Sequence, residues 1–64
     1  MAISIKAARV NAGLTQAEVA RHLNKSKNTI ASYESHTTIP DIRDAQKMAD
    51  LFGMSLDDIV WTQK

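Results

Sequence analysis

Residues 15–34 read TQAEVARHLNKSKNTIASYE, and this stretch decides the fold. Val19, Ala20 and Leu23 fall on one face at helical spacing, and further on Ile30 and Tyr33 do the same. Only Asn24, Lys25 and Ser26 separate the two segments. Two helices joined by about three residues must cross steeply, which predicts a helix-turn-helix over about residues 16–35. The small side chain of Ala20 lets the helices approach, and Asn24 is the best non-glycine type for a left-handed turn residue. Ser26 is placed to cap the second helix of the pair.

Outside this unit, two segments follow one grammar. In Gly13-Leu14-Thr15-Gln16-Ala17-Glu18-Val19 and Gly53-Met54-Ser55-Leu56-Asp57-Asp58-Ile59, a glycine closes one helix and Thr or Ser caps the next, with an acid three residues on. Leu14 with Val19, and Met54 with Ile59, take the positions of a hydrophobic staple. With Ser4 as a further cap and Pro40 as a breaker, the chain divides into five helices near 5–12, 16–23, 27–35, 41–52 and 56–61. No segment has the pattern of a strand. The expected class is all-α, a single domain over residues 1–64. The fourth helix gathers Ile42, Ala45, Met48, Ala49 and Phe52 on its inward face, and the first gathers Ile5, Ala8 and Ala12. Arg9 falls on that same side of the first helix, where a guanidinium needs an acceptor. Glu34, beside Ile30 at the margin of the third helix's buried face, is the candidate.

The 64 residues suffice for one small core. Hydrophobic residues are 44% and charged residues 23%, values of a globular chain. The absence of cysteine excludes disulfides and thiolate metal sites and suits a reducing compartment. No segment has the form of a signal peptide or a membrane span, so the expected location is the cytoplasm. Residues 1–39 carry Lys6, Arg9, Arg21, Lys25 and Lys27 against Glu18 and Glu34, a balance of +3, whereas residues 40–64 balance at −2. The helix-turn-helix lies in the basic half.

The third helix has an unusual outward face. Asn28, Ala31, Ser32 and Ser35 project opposite Ile30 and Tyr33, with Lys27 at the edge. A face that only met solvent would more typically carry Glu, Lys or Arg. Short polar side chains instead allow close approach to a groove: Asn pairs with the adenine edge, Lys with guanine, and Ser or Thr with either base or phosphate. Ala31 or the Thr29 methyl could meet thymine. Lys27, Asn28, Thr29 and Ser32 are therefore the candidate base readers. Gln16, at a helix start where free amides and the dipole favour anions, is a candidate for phosphate. Lys25, Ser26, and His36 and Thr37 within the loop from His36 to Ile39 are the other candidate backbone contacts.

Thr15-Gln16-Ala17-Glu18-Val19-Ala20, then Leu23, Ser26, Ile30, Tyr33-Glu34 and Pro40, resemble the helix-turn-helix domain of phage lambda repressor and Cro type regulators. The resemblance implies a five-helix domain that binds operator DNA, usually as a dimer, and a pair joining Arg9 to Glu34 across the first and third helices. It also implies that Gln16 touches the DNA backbone while bracing the reading helix. The sequence departs from the family pattern at Asn24 and His36, where glycine is usual, and at Lys25, where an apolar residue is usual. The implied protein is a bacterial or phage regulator, expected to repress transcription as a homodimer on a palindromic operator of double-stranded DNA. Leu56, Ile59 and Trp61 either complete the core or form the dimer interface. The same fold serving as a protein-interaction module is the alternative, with the DNA-reading part of a recombinase third.

Other chemistries lack their residues. His22 and His36 are too isolated for a metal site, so no metal or cofactor is expected. Asp41, Asp44, Asp57 and Asp58 all fall in first helical turns, where acids favour the dipole. There is no nucleophile elbow and no phosphate loop, and an enzyme is not expected.

Overall fold

Each α-helix of the computed structural model, which describes residues 1–62, begins at a residue whose side chain caps it. Helix α1 (Ile5–Asn11) starts behind Ser4, α2 (Gln16–Leu23) behind Thr15, α3 (Lys27–Glu34) behind Ser26 and α4 (Ile42–Phe52) behind Asp41. At α2 the capping box is complete, with Glu18 accepting from the Thr15 amide at 2.9 Å while its own amide donates to the Thr15 hydroxyl at 3.1 Å. The bond from the Thr15 amide foremost, and then the Thr15 hydroxyl, hold the Glu18 carboxyl below its ordinary pKa.

The four helices end alike. Gly13, Asn24, His36 and Gly53 take positive φ, and the amide of the residue after each reaches five residues back: Leu14 to Arg9, Lys25 to Ala20, Thr37 to Ser32, Met54 to Ala49. This is the Schellman termination, and the left-handed residue it requires is glycine twice and a side-chain-bearing residue twice. Asn tolerates the conformation, but an imidazole at φ 62° does not benefit from local hydrogen bonding as Asn does. His36→Gly is expected to raise stability by about 1 kcal/mol, the relief of left-handed strain exceeding glycine's extra freedom in the unfolded chain. A urea melt showing a loss instead would mean that the half-buried imidazole contributes more by packing than it costs.

The core is formed by Ile5, Ala8, Val19, Ala20, Leu23, Ile30, Tyr33, Met48, Ala49, Phe52 and Ile59. Ala45 is buried beside this cluster, but two expected inward residues are not buried. Ala12 is exposed, and Ile42 is 74% exposed. At 100° per residue Ile42 and Asp44 lie on opposite margins of the stripe formed by Ala45, Met48, Ala49 and Phe52. What lies across from each margin decides between them. Asp44 is buried because its margin faces Tyr33, which gives its carboxylate a hydrogen bond, and Ile42 is left on the open side.

The chain's last segment departs from the five-helix expectation. Residues 56–61 form not a helix but a 3₁₀ turn, Leu56–Asp58, followed by strand β2 (Ile59–Val60), which pairs in parallel with strand β1 (Ile3–Ser4). The Ser55 hydroxyl makes no cap here and donates to the Asp58 carboxylate at 3.1 Å. With only one turn available before the β-branched pair Ile59-Val60, extension along Ile3 satisfies backbone groups and drives Ile59 into the core. The described residues thus hold four α-helices and a two-stranded sheet at the chain's ends.

Candidate nucleic-acid interface

Glu34 sits where α1, α2 and α3 meet. Its carboxylate accepts from Arg9 Nε at 2.6 Å, Arg9 Nη2 at 3.4 Å and Gln16 Nε2 at 3.0 Å. Arg9 extends its remaining arm to the Leu14 carbonyl at 2.7 Å. The side chains of Arg9 and Glu34 are 12% and 6% exposed, so both charges are largely removed from water and held by a fork of charge-assisted bonds. Gln16, from the first turn of α2, is turned towards α3 by this contact. One carboxylate at the end of α3 thereby ties that helix to the start of α2 and to α1.

A second anchor holds α3 from its inner side. The Tyr33 hydroxyl donates to Asp44 Oδ2 at 2.9 Å in a buried bond, and Lys25 Nζ, from the turn between α2 and α3, lies 3.8 Å from the same oxygen. Burial, and then the adjoining carboxylate, push the Tyr33 phenol up to about 12. Because the folded phenol keeps its proton where the unfolded one loses it, Tyr33 favours the fold below about pH 10, and that contribution falls away as pH rises towards about 12. Alkaline melts should show a steeper loss for the wild type than for Tyr33→Phe; parallel slopes would contradict a protected phenol. Asp44's role has no direct sign in the sequence, where it reads as a helix-start acid. The signal available was the buried tyrosine itself, whose hydroxyl needs a partner.

Between these anchors α3 presents its outer face. Lys27 and Asn28 are exposed, and Thr29, Ala31 and Ser32 are half-buried. The Thr29 hydroxyl lies 3.0 Å from the hydroxyl of the cap residue Ser26, so the two are already hydrogen-bonded to each other. Asn28, Thr29 and Ser32 line a shallow open depression of about 400 Å³ together with Tyr33, Thr38 and Ile39. The loop after α3 therefore borders the same surface as three of the four candidate base readers. Within that loop Thr37 Oγ1 lies 2.8 Å from the Ser35 hydroxyl, while His36 Nδ1 is buried and finds no partner among the described residues. Leu56 and Trp61 are half-buried and joined by a bond from the Trp61 indole to the Leu56 carbonyl at 3.0 Å. Ile59 is committed to the domain's own core at 4% exposure and has no surface to offer a partner; Val60 beside it is 39% exposed.

The HTH_3 helix-turn-helix family profile matches residues 5–59, from the first turn of α1 to the first residue of β2. The chain belongs to this helix-turn-helix family. It is 34% identical over 56 residues to the cryptic phage CTXphi transcriptional repressor RstR of Vibrio cholerae, a match covering 88% of this chain and 50% of that protein. It is 38% identical over 53 residues to the HTH-type transcriptional regulator ImmR of Bacillus subtilis (strain 168), covering 83% of this chain and 42% of that one. The chain spans about half the length, or less, of these relatives. No solved structure matches it significantly. Asn24 and His36, the two positions where the sequence departs from glycine, both take the left-handed conformation. No helix among the described residues is long and apolar enough to cross a membrane, and no group of three or more potential metal ligands is found among them.

Proposed function

We propose that this domain is the sequence-specific DNA-binding part of a transcriptional regulator, a repressor that occupies a palindromic operator as a homodimer. The observation that carries this reading is the outer face of α3. It is short-chained and uncharged apart from Lys27, and the helix behind it is anchored at Glu34 and at Tyr33. A rigid helix with small polar side chains can enter a major groove, and the names of the two relatives, a repressor and a regulator, agree with such a role.

In the proposed complex Asn28 and Ser32 read base edges, with Lys27 and Thr29 beside them. The Thr29 hydroxyl is held by Ser26, so its methyl is the part free to meet a thymine. Gln16, Lys25, Ser26, His36 and Thr37 flank the groove at phosphates, positioning the helix without specifying sequence. The mechanism is steric: the bound protein excludes other proteins from the site, and no covalent chemistry is involved. A single domain of this size offers a small reading surface, so two copies one helical turn apart, about 34 Å, would supply the specificity. The dimer surface is proposed at the Leu56 and Trp61 end, with Val60 in place of the buried Ile59.

Asn28→Ala is expected to cost about 1–3 kcal/mol on the preferred duplex and to relax preference at one position of each half-site. Lys25→Ala should weaken all duplexes together and flatten the salt dependence by up to about one unit. Titrations against a preferred and a scrambled duplex check both, and equal losses on the two duplexes for both variants would count against the assignment of readers and positioners.

A further inference from the structure

The Lys25–Asp44 contact joins a residue proposed to hold DNA to a buried acid on a different helix. Asp44 is 5% exposed, and its Oδ2 faces both the Tyr33 hydroxyl at 2.9 Å and the Lys25 amine at 3.8 Å. Lys25 itself is 44% exposed along its side chain, long enough and free enough to swing outward. A buried carboxylate keeps a cation nearby because few waters can replace it, whereas a lysine amine is a mobile point charge that serves any anion in reach. We infer that Asp44 competes with the DNA backbone for Lys25, so that this acid sets how much of the lysine's charge the free domain offers to a phosphate.

The inference rests on the proposed phosphate role of Lys25. When the domain docks, Lys25 leaves Asp44, whose hydrogen bond from Tyr33 remains. The cost of that exchange is subtracted from every complex, whatever its sequence. Asp44 therefore tunes the sequence-independent part of affinity, and base preference stays with α3. The substitution that isolates the effect is Asp44→Asn, because the amide oxygen still accepts from Tyr33 while the charge that retains Lys25 is gone.

The test is binding to a mixed-sequence duplex about two helical turns long, over a range of salt, by the wild type, D44N, K25M and the double variant. D44N is expected to bind about two- to tenfold tighter, in keeping with a weak to moderate ion pair, and with a steeper salt dependence. K25M should bind more weakly than wild type, and D44N should bring no gain in the K25M background. If D44N leaves affinity unchanged while K25M weakens it, the competition is wrong and the phosphate role stands. If D44N brings the same gain with or without Lys25, Asp44 acts only through the general field of its charge, and the competition is again wrong. If K25M binds as the wild type does, the phosphate role fails and the competition with it. A second readout needs no change at Asp44: the NMR signal of its carboxyl carbon should shift when duplex is added to wild-type protein but not to K25M. An unmoved signal in the wild type overturns the inference even if D44N does not fold.

Discussion

Glu34→Ala is expected to destabilise the domain by about 2–4 kcal/mol, slightly below the range for breaking a fully buried pair because Arg9 retains 12% exposure. The loss is large because the substitution leaves three groups without their acceptor: Arg9 Nε, Arg9 Nη2 and Gln16 Nε2. A guanidinium cannot shed its charge, so Arg9 must remain ionised in a site made for a neutralised pair. Arg9→Met should cost less, about 1–2 kcal/mol. The glutamate left behind keeps Gln16 as a donor, and methionine fills the volume. It will not be neutral, since the Leu14 carbonyl loses its 2.7 Å bond from Arg9. For a domain of 64 residues, whose total stability is on the order of 3–10 kcal/mol, the two variants should separate clearly in urea melts. Changes within about 0.5 kcal/mol for both would mean that the pair does not hold α3 to the scaffold.

Ile30→Ala is expected to cost a comparable amount, about 2–5 kcal/mol, by a different route. Ile30 is fully buried, and truncation removes its apolar contacts and leaves a cavity in a core too small to close over it. Ile30→Val, which removes one methylene, should cost only about 0.5–1.5 kcal/mol. Because Ile30 faces away from the proposed DNA surface, whatever fraction of Ile30→Ala remains folded should keep the wild-type base preference with an affinity reduced by unfolding alone. Thermal melts alongside binding at low temperature distinguish the cases. A changed base preference in the folded fraction would mean that the inner face of α3 takes part in setting how the outer face reads.

How far the sequence reveals this structure depends on the range of the interaction concerned. Local signals were sufficient for Ser4, Thr15 and Ser26, whose caps need only a hydroxyl and a nearby amide, and for Asn24 in the tight turn. The Arg9–Glu34 pair was legible despite a sequence separation of 25, because a guanidinium on an inward face demands an acceptor and the family resemblance says where it lies. The end of the chain was not legible. Two strands of two residues carry no periodicity, and the pairing of Ile59 with Ile3 depends on chain ends far apart in sequence. Ile59 accordingly reads equally as core or as dimer surface, and its burial places it in the core. The same reasoning covers Ile42 and Asp44, where hydropathy favours the wrong residue and only Tyr33, across the interface, reverses the choice. Of the candidate site, the outer face of α3 was legible from composition, whereas the Lys25–Asp44–Tyr33 contact needed the packing of α3 against α4.

Whether α3 reads DNA sequence is tested most directly by selection of bound duplexes from a random pool by the purified protein. An enriched motif is expected, made of two inverted half-sites whose centres lie one helical turn, about 34 Å, apart, with Asn28→Ala losing preference at one position in each half. A recovered pool no different from the input, in protein shown to be folded, would contradict it.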